Sequence, residues 1–375
     1  MPVEAQSGVM TDFNFAPDAE IRCRDYSIGC IGAGFIMADV QLSAYSAAGF
    51  NVRAIASRTV AKAEAAAKRW KIPKVYRTPE ELLDDQSIQV VDIAYPPHLQ
   101  AGLIHAACCK RHILGILAQK PMAMNYSEAQ RVVEACKSAG KVLSANQNMR
   151  FDQSMRVLRQ ILDRGLLGDP LVASIDMRAI PHWQAFLNEY QRLTLLNMSV
   201  HHLDIMRHLF GEVARIYVAT RPDPRRTTNA PIDGVCISTL NFDSGVLGIC
   251  IDDVWASPTE PAFESDTYIR WRVEGQKGVA RGTIGWPDYP KGSPSTLEYC
   301  CPATGGKWRQ PRWTTQWFPH GFAGVMEQLQ YALKTGSPPA LSGRDNLRTM
   351  ALVEAGYRSI AERRAVSPAE IGSRA

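Results

Sequence analysis

Lys120 sits between Gln119 and Pro121 just past an apolar run, and Asn197 and His201 stand four residues apart in a helix-type segment. Histidine is the side chain whose ordinary pKa lies nearest neutrality. A lysine can donate to a developing oxyanion or, when desolvated, accept a proton. A spacing of four puts two side chains on one helix face, so Asn197 can orient a bound group for His201. An amide carries no charge, so His201 is expected to be a weaker base than a histidine supported by a carboxylate. His202 follows directly and must look to another face, where it either orients a ligand or serves the fold. Arg150 has two readings, a ligand contact or an ion pair between domains.

A second set of residues can cradle phosphate. The run Gly32-Ala33-Gly34-Phe35-Ile36-Met37 opens a GxGxxG pattern, with Met37 where the third glycine would stand. Gly32 permits a tight turn, and Gly34 clears the helix N-terminus for a pyrophosphate; the third glycine serves packing. Phe35 and Ile36 border that turn. Further on, Ser57-Arg58 occupies the place where a dinucleotide site specific for NAD carries an acid to hold the ribose 2′-hydroxyl. A hydroxyl and a guanidinium suit a 2′-phosphate instead, so NADP is favoured over NAD, unless Arg58 only stacks on the adenine. At Tyr95-Pro96-Pro97-His98 a rigid turn would shape the nicotinamide side, with His98 at the start of a helix. Gln119 and Lys120 border the same crevice.

These residues need a scaffold that brings them together. Between residues 26 and 145, short apolar runs (Tyr26–Gly32, Val52–Ala56, Val90–Ala94, His112–Ile116, Val142–Ala145) alternate with helical patterns such as Val60–Trp70 and Ser127–Ala139. Such alternation predicts βαβ units and a parallel sheet covered on both faces. Thr78-Pro79-Glu80-Glu81 predicts a short capped helix with Thr78 as N-cap. After Phe151 the rhythm changes. A helix over Gln153–Arg164 is followed by strand-type runs at Leu171–Ile180, Val213–Thr220, Val235–Phe242, Val246–Val254, Tyr268–Glu274 and Gly278–Ile284. Helical patterns return at Met198–Leu209, Phe322–Leu333 and Asp345–Glu362. The fold class is therefore α/β: an N-terminal Rossmann dinucleotide-binding domain (25–148) and a C-terminal α+β domain (149–375) with an open, mostly antiparallel sheet. A flexible arm over 1–24 precedes them, and the last long helix returns toward the first domain.

Taken in order, the glycine turn, the Pro-Pro-His turn, Ala118-Gln119-Lys120-Pro121, Asn148-Met149-Arg150-Phe151, Asn197 through Asp204 and Ser342 through Arg348 resemble the Gfo/Idh/MocA family over about residues 25–365. The resemblance implies a nicotinamide-dependent dehydrogenase or reductase acting on a sugar, inositol or related polyol. It implies catalysis by Lys120 with His201, Asn197 standing where an aspartate is usual and Gln119 where a glutamate is usual. Substrate would touch Lys120, Arg150, Asn197, His201 and His202. His182 and Trp183 would wall the pocket as an aromatic platform for a sugar face, and Trp317-Phe318-Pro319-His320 admits the same reading. The resemblance also implies assembly as a homodimer or homotetramer through the open sheet. Two other functions fit the same residues. One is a glycosidase that uses bound nicotinamide transiently. The other is a non-catalytic regulator that binds cofactor or sugar, suggested by the two amide replacements.

Composition bounds the rest. A net charge of +5 over 375 residues, without a dense basic block, gives no nucleic-acid surface. The nine cysteines include no CxxC pair, so neither a zinc site nor a disulfide framework is expected. No apolar stretch of about 18 residues occurs, so no membrane span is expected. The N-terminal segment lacks a signal-type core, and a cytoplasmic location follows. HExxH, GxSxG and Walker patterns are absent, which disfavours zinc hydrolysis, serine acyl transfer and P-loop chemistry.

Overall fold

A computed structural model describes residues 13–179, 187, 189–223, 231–254, 267–285 and 292–372. The first sheet is built from β1 (Ile28–Ile31), β2 (Val52–Ala56), β3 (Lys74–Tyr76), β4 (Val90–Ile93), β5 (Gly115–Ala118) and β6 (Val142–Ala145). They lie in the order β3-β2-β1-β4-β5-β6, and every pair is parallel. β1, β4 and β5 are buried at every position, as strands covered on both faces must be. The helices of this half are α1 (Leu42–Ala48), α2 (Val60–Trp70), α3 (Pro79–Leu83), α4 (Pro97–Cys108) and α5 (Tyr126–Ser138). The order reverses between β1 and β4, and ligands bind such sheets at that crevice, beyond the carboxyl ends of the strands.

Backbone hydrogen bonds continue past those carboxyl ends and fix the turns that follow. Gly32 N donates to Ala56 O, Ala94 N to Ile31 O and Gln119 N to Ile93 O, at 2.8, 2.8 and 3.0 Å. Thr78 caps α3 as expected, accepting from Glu81 N at 3.2 Å, but the Glu81 carboxylate reaches one residue further back, to Arg77 N. The helix after the glycine turn begins wider than α: residues Ile36–Gln41 form a π-turn, with Met37 O accepting from Leu42 N, before α1 proper.

The second half contains α6 (Gln153–Asp163), β7 (Pro170–Arg178), α7 (Val200–Phe210), β8 (Val213–Arg221), β9 (Val235–Phe242), β10 (Leu247–Asp253), β11 (Tyr268–Gly275), β12 (Val279–Ile284) and β13 (Thr296–Cys300). α8 (Phe322–Thr335), α9 (Gly343–Glu362) and a final turn, α10 (Ala369–Gly372), close the chain. The strands form one sheet in the order β13-β12-β11-β7-β10-β9-β8, antiparallel except where β10 meets β7. Burial alternates along them. In β9, Cys236, Ser238, Leu240 and Phe242 face the core while Ile237, Thr239 and Asn241 face outward. The outer face carries Tyr217, Ile237, Leu247 and Ile249, all exposed. β3 and β13, both at sheet edges, had no expected counterpart in the sequence.

α9 packs against both halves, touching α5 and β6 on one side and β8 and α7 on the other. Ala145 N at the end of β6 donates to Leu341 O, so the entry to α9 continues the first sheet. Of the arm expected over 1–24, residues 13–24 lie along α6 and α8. They are held by Gln160 at both polar atoms of Ala16, by a Gln153–Asp18 bond and by an Arg22–Glu327 pair. All nine cysteines are free thiols.

One buried group sets a pH dependence. Asp92 on β4 accepts from Tyr45 Oη and Gln41 Nε2, both at 2.6 Å. Desolvation outweighs those bonds and pushes its carboxyl up to about 7. The unfolded chain titrates near 4, so the fold loses stability as pH rises from there through 7, on the order of 4 kcal/mol at the upper end. Asp92→Asn should therefore gain stability relative to the parent as pH goes from 5 to 8. Urea midpoints at both pH values check this, and an unchanged difference contradicts it.

Candidate active site

At the crevice lies a cavity of about 480 Å³ with walls from both halves of the chain. The glycine turn forms part of its wall. Gly32 has φ +114°, and a Cβ there would sit 2.3 Å from Ala94 O, so no other residue fits. A Cβ at Gly34 would meet no protein atom within 4 Å, which leaves the helix start open to the cavity. Phe35, Ile36, Tyr95 and Pro96 line the same space, as do Ser57 and Arg58 at the end of β2. Thr59 and Lys62 join them there. Ser57 is buried, and its Oγ accepts from Thr59 N at 3.3 Å, turning the chain so that Arg58 and Lys62 border one mouth. These residues fit a dinucleotide. The turn leaves room for a pyrophosphate, the two cations suit a phosphate, and among the described residues no Asp or Glu lines the cavity.

Lys120 enters from the first sheet. Its turn is pinned by Gln100, buried in α4, whose Nε2 donates to Gln119 O and Pro121 O at 3.0 and 2.9 Å and whose Oε1 accepts from Gln119 N at 2.8 Å. Gln119 Oε1 accepts from Lys120 N at 3.0 Å, while its Nε2 is buried without a partner. Lys120 Nζ donates to the backbone carbonyl of Asn197 at 2.6 Å. Burial lowers this amine to about 7, and no carboxylate opposes the effect.

Asn197 and His201 enter from the other half. The expected helix start at Met198 gives way to a π-turn over Thr194–Ser199, and α7 begins only at Val200. The turn is nailed down by Asp233, which accepts from Leu193 N and Leu195 N at 2.9 Å and from Tyr357 Oη at 2.6 Å. Asn197 and His201 nonetheless both line the cavity, as the spacing implied. His201 stacks edge-on against Trp317, ring centroids 5.9 Å apart, and its Nδ1 is buried without a partner. Desolvation, with the Lys120 charge adding, holds its imidazole well below the ordinary value. His202 also lines the cavity, and its Nδ1 lies 2.6 Å from Asp252 Oδ1.

Three expectations need correction or lie elsewhere. Arg150 does not line the cavity. Its guanidinium holds Asp204 through two bonds of 2.6 and 2.7 Å and Asp345 at 2.7 Å, so the interdomain ion pair wins over ligand contact. The buried Asp204 and the partly buried Asp345 need a counter-charge, and Arg150 supplies it together with Arg207. His98 does not line the cavity either. It is exposed, and its Nδ1 lies 2.6 Å from Tyr190 Oη, bridging the start of α4 to the other half. His182 and Trp183 lie outside the described residues. Trp317 and Phe318 do wall the cavity, with Met149, Met177 and Met198 beside them. Trp317 Nε1 donates to Asn148 Oδ1 at 3.0 Å, which fixes that wall. The sequence reading missed Gln100, Lys62, Asn148 and Asp252. Lys62 had a usable signal, one helical turn beyond Arg58; Gln100 and Asp252 are polar residues in apolar runs and Asn148 is one of several neighbouring amides, ambiguous until their partners are known.

Comparison with known proteins agrees with this geometry. Residues 26–147 match the model of an oxidoreductase family with an NAD-binding Rossmann fold, and residues 155–281 match the GFO/IDH/MocA C-terminal domain. The chain belongs to the Gfo/Idh/MocA family. D-apiose dehydrogenase from Paraburkholderia graminis is 26% identical over 341 residues, covering 90% of this chain and 88% of that protein. Myo-inositol 2-dehydrogenase from Thermotoga maritima is 25% identical over 315 residues, covering 80% and 86%. Among solved structures, an oxidoreductase from Agrobacterium radiobacter in complex with NAD+, L-tartaric acid and magnesium superposes with a TM-score of 0.77 at 25% identity, covering 92% of this chain and 99% of that one. Within the Gfo/Idh/MocA family this chain is thus an oxidoreductase with a Rossmann sheet and a mixed, mostly antiparallel second sheet. Among the described residues, no three His, Cys, Asp or Glu side chains cluster as a metal site, and no helix is long and apolar enough to cross a membrane.

The placement of Arg150 makes a prediction that separates its two readings. Arg150→Ala removes the charged bonds to Asp204 and Asp345, leaving Arg207 and Thr349 as their partners, and should cost on the order of 2–3 kcal/mol of stability by urea unfolding. The KM for substrate should stay within a few-fold. A raised KM with stability unchanged would return Arg150 to the ligand.

Proposed function

We propose that the protein transfers a hydride between NADP, in preference to NAD, and a secondary alcohol carbon of a sugar or polyol. The observation that carries this is the convergence of Lys120 and His201, from separate halves of the chain, beside a glycine turn open for a dinucleotide. Gly32, Gly34 and Ile36 would hold the pyrophosphate, Ser57, Arg58 and Lys62 the 2′-phosphate, and Tyr95 and Pro96 the nicotinamide side. A bound nicotinamide supplies the hydride acceptor or donor. The protein supplies the proton path.

His201 was the expected base, but burial holds it neutral as a poor proton acceptor. The better candidate is Lys120, whose amine titrates at about 7. As the free amine it takes the proton of the substrate hydroxyl at Nζ. As the ammonium it returns that proton when the reaction runs toward the alcohol. His201 and Asn197 hold the reacting hydroxyl and its neighbour. The Met and Trp wall excludes water and offers an apolar face to the sugar C–H groups. The two amides that replace the usual acids fit this scheme. A carboxylate at 119 or 197 would hold Lys120 charged, so their absence favours the free amine near neutral pH.

The test is a panel of sugars and polyols, including D-apiose and myo-inositol, followed at the nicotinamide absorbance with NADP and with NAD. Turnover of at least one member, with the lower KM for NADP, is expected; no turnover with either cofactor contradicts the reading. Lys120→Ala should lose about 10²–10⁴-fold in kcat while cofactor affinity is kept. The acid limb of kcat/KM for alcohol oxidation should fall near pH 7, because the charged amine cannot accept a proton. Gln119→Glu should move that limb upward by about one pH unit or more, since the new carboxylate favours the ammonium. A limb that stays put contradicts the assignment.

We also propose that copies of the chain associate through the outer face of the mixed sheet. Support comes from Tyr217, Ile237, Leu247 and Ile249, neighbouring strand residues left exposed there. Ile249→Lys should shift sedimentation toward the monomer; an unchanged assembly contradicts this.

A further inference from the structure

We propose that Asp252 is a positioning residue that keeps the hydrogen of His202 on Nδ1, so that Nε2 faces the cavity as a hydrogen-bond acceptor for a second hydroxyl of the substrate. The inference rests on the polyol oxidoreductase reading and adds a specificity element to it.

Asp252 lies on β10, where strand alternation turns Gly248, Cys250 and Asp252 to the packed face. A carboxylate on that face is costly to bury without a partner. Asp252 is fully buried and so is His202, and their Oδ1 and Nδ1 atoms lie 2.6 Å apart. Oδ2 of Asp252 is buried and takes no hydrogen bond, so Nδ1–H of His202 is its one side-chain donor among the described residues. An ionised carboxylate only accepts, so the hydrogen in this contact belongs to Nδ1. An uncharged ring with its hydrogen on Nδ1 has its lone pair on Nε2. The ring borders the cavity, and with Nδ1 taken by Asp252, Nε2 is its remaining polar atom.

The neighbourhood makes an acceptor useful. Lys120 is a donor, and Asn197, which also lines the cavity, carries both a donor and an acceptor on its amide. Among the described residues the cavity has no carboxylate to accept from hydroxyls. A polyol presents donors on adjacent carbons. With Lys120 at the reacting oxygen, a fixed acceptor at His202 Nε2 receives the hydrogen of the next hydroxyl. A substrate lacking it leaves the acceptor unpaired, which is how a polar site rejects a deoxy analogue.

The experiment uses the full-length protein with bound NADP. Nitrogen-15 NMR of ring-labelled histidine, with the His202 signals assigned by their loss in His202→Asn, reads the tautomer directly. Nε2 without hydrogen and Nδ1 with it is the expected result; the reverse overturns the proposal. Asp252→Asn can donate to Nδ1 through its amide and should move the hydrogen to Nε2. With D-apiose or myo-inositol, whichever the enzyme turns over, its KM should rise about tenfold or more while NADP affinity is kept. His202→Asn keeps the bond to Asp252 and loses the acceptor, so it should raise KM equally without loss of folding. The double variant should be no worse than either single one. A tautomer that shifts with KM unchanged, or variants whose effects add, overturns the proposal. These outcomes do not depend on Lys120: a Lys120→Ala protein that is still active contradicts the base assignment and leaves the tautomer result standing.

Discussion

A single hydrogen bond, from Lys120 Nζ to the carbonyl of Asn197, joins the two halves of the chain at the point where chemistry is expected. Its donor comes from the end of a parallel sheet and its acceptor from a π-turn beside a mixed sheet. The contact has meaning because of what surrounds it. Gln119 and Asn197 are amides, and the described cavity wall carries no acid, so no negative charge compensates the lysine's loss of water. The same desolvation acts on His201, and the Lys120 charge adds to it. A site that lacks carboxylates thus produces a free amine and a neutral imidazole from ordinary residues.

The scaffold around that contact is stiff where it must be. Gln100 ties the lysine turn, Asp233 and Tyr357 tie the π-turn, and Asp204, Asp345 and Arg150 hold α7, α9 and the turn at residues 148–151 as one cluster. α9 then spans both sheets. Each of these polar groups is at least partly buried and each is hydrogen-bonded, which is the condition for such groups to rigidify rather than weaken a core.

Much of this was legible in the residues. Apolar runs with helical patterns between them specified the parallel sheet, and strand alternation such as Val235–Phe242 specified a sheet with one open face. The glycine turn was read from its spacing, and Lys120 and the Asn197–His201 pair from the family resemblance; all line one cavity. The losses have physical causes. β3 is three residues long at a sheet edge, too short for periodicity to register. The π-turn before α7 shifts a helix start that propensity alone placed at Met198. Arg150 has the same chemistry whether it binds a hydroxyl or a carboxylate, and only the approach of Asp345, 195 positions away, decides. Asp252 has no local signal, because its partner lies 50 positions earlier on another element.

The central claim is electrostatic and can be measured without any substrate. Lysine methylated with carbon-13 reports its own titration by NMR, and the Lys120 signal is identified by its absence in Lys120→Arg. A midpoint near 7 in the folded protein, returning to the ordinary lysine range in urea, is what the account requires. A midpoint in the folded protein near that of the exposed lysines would contradict it.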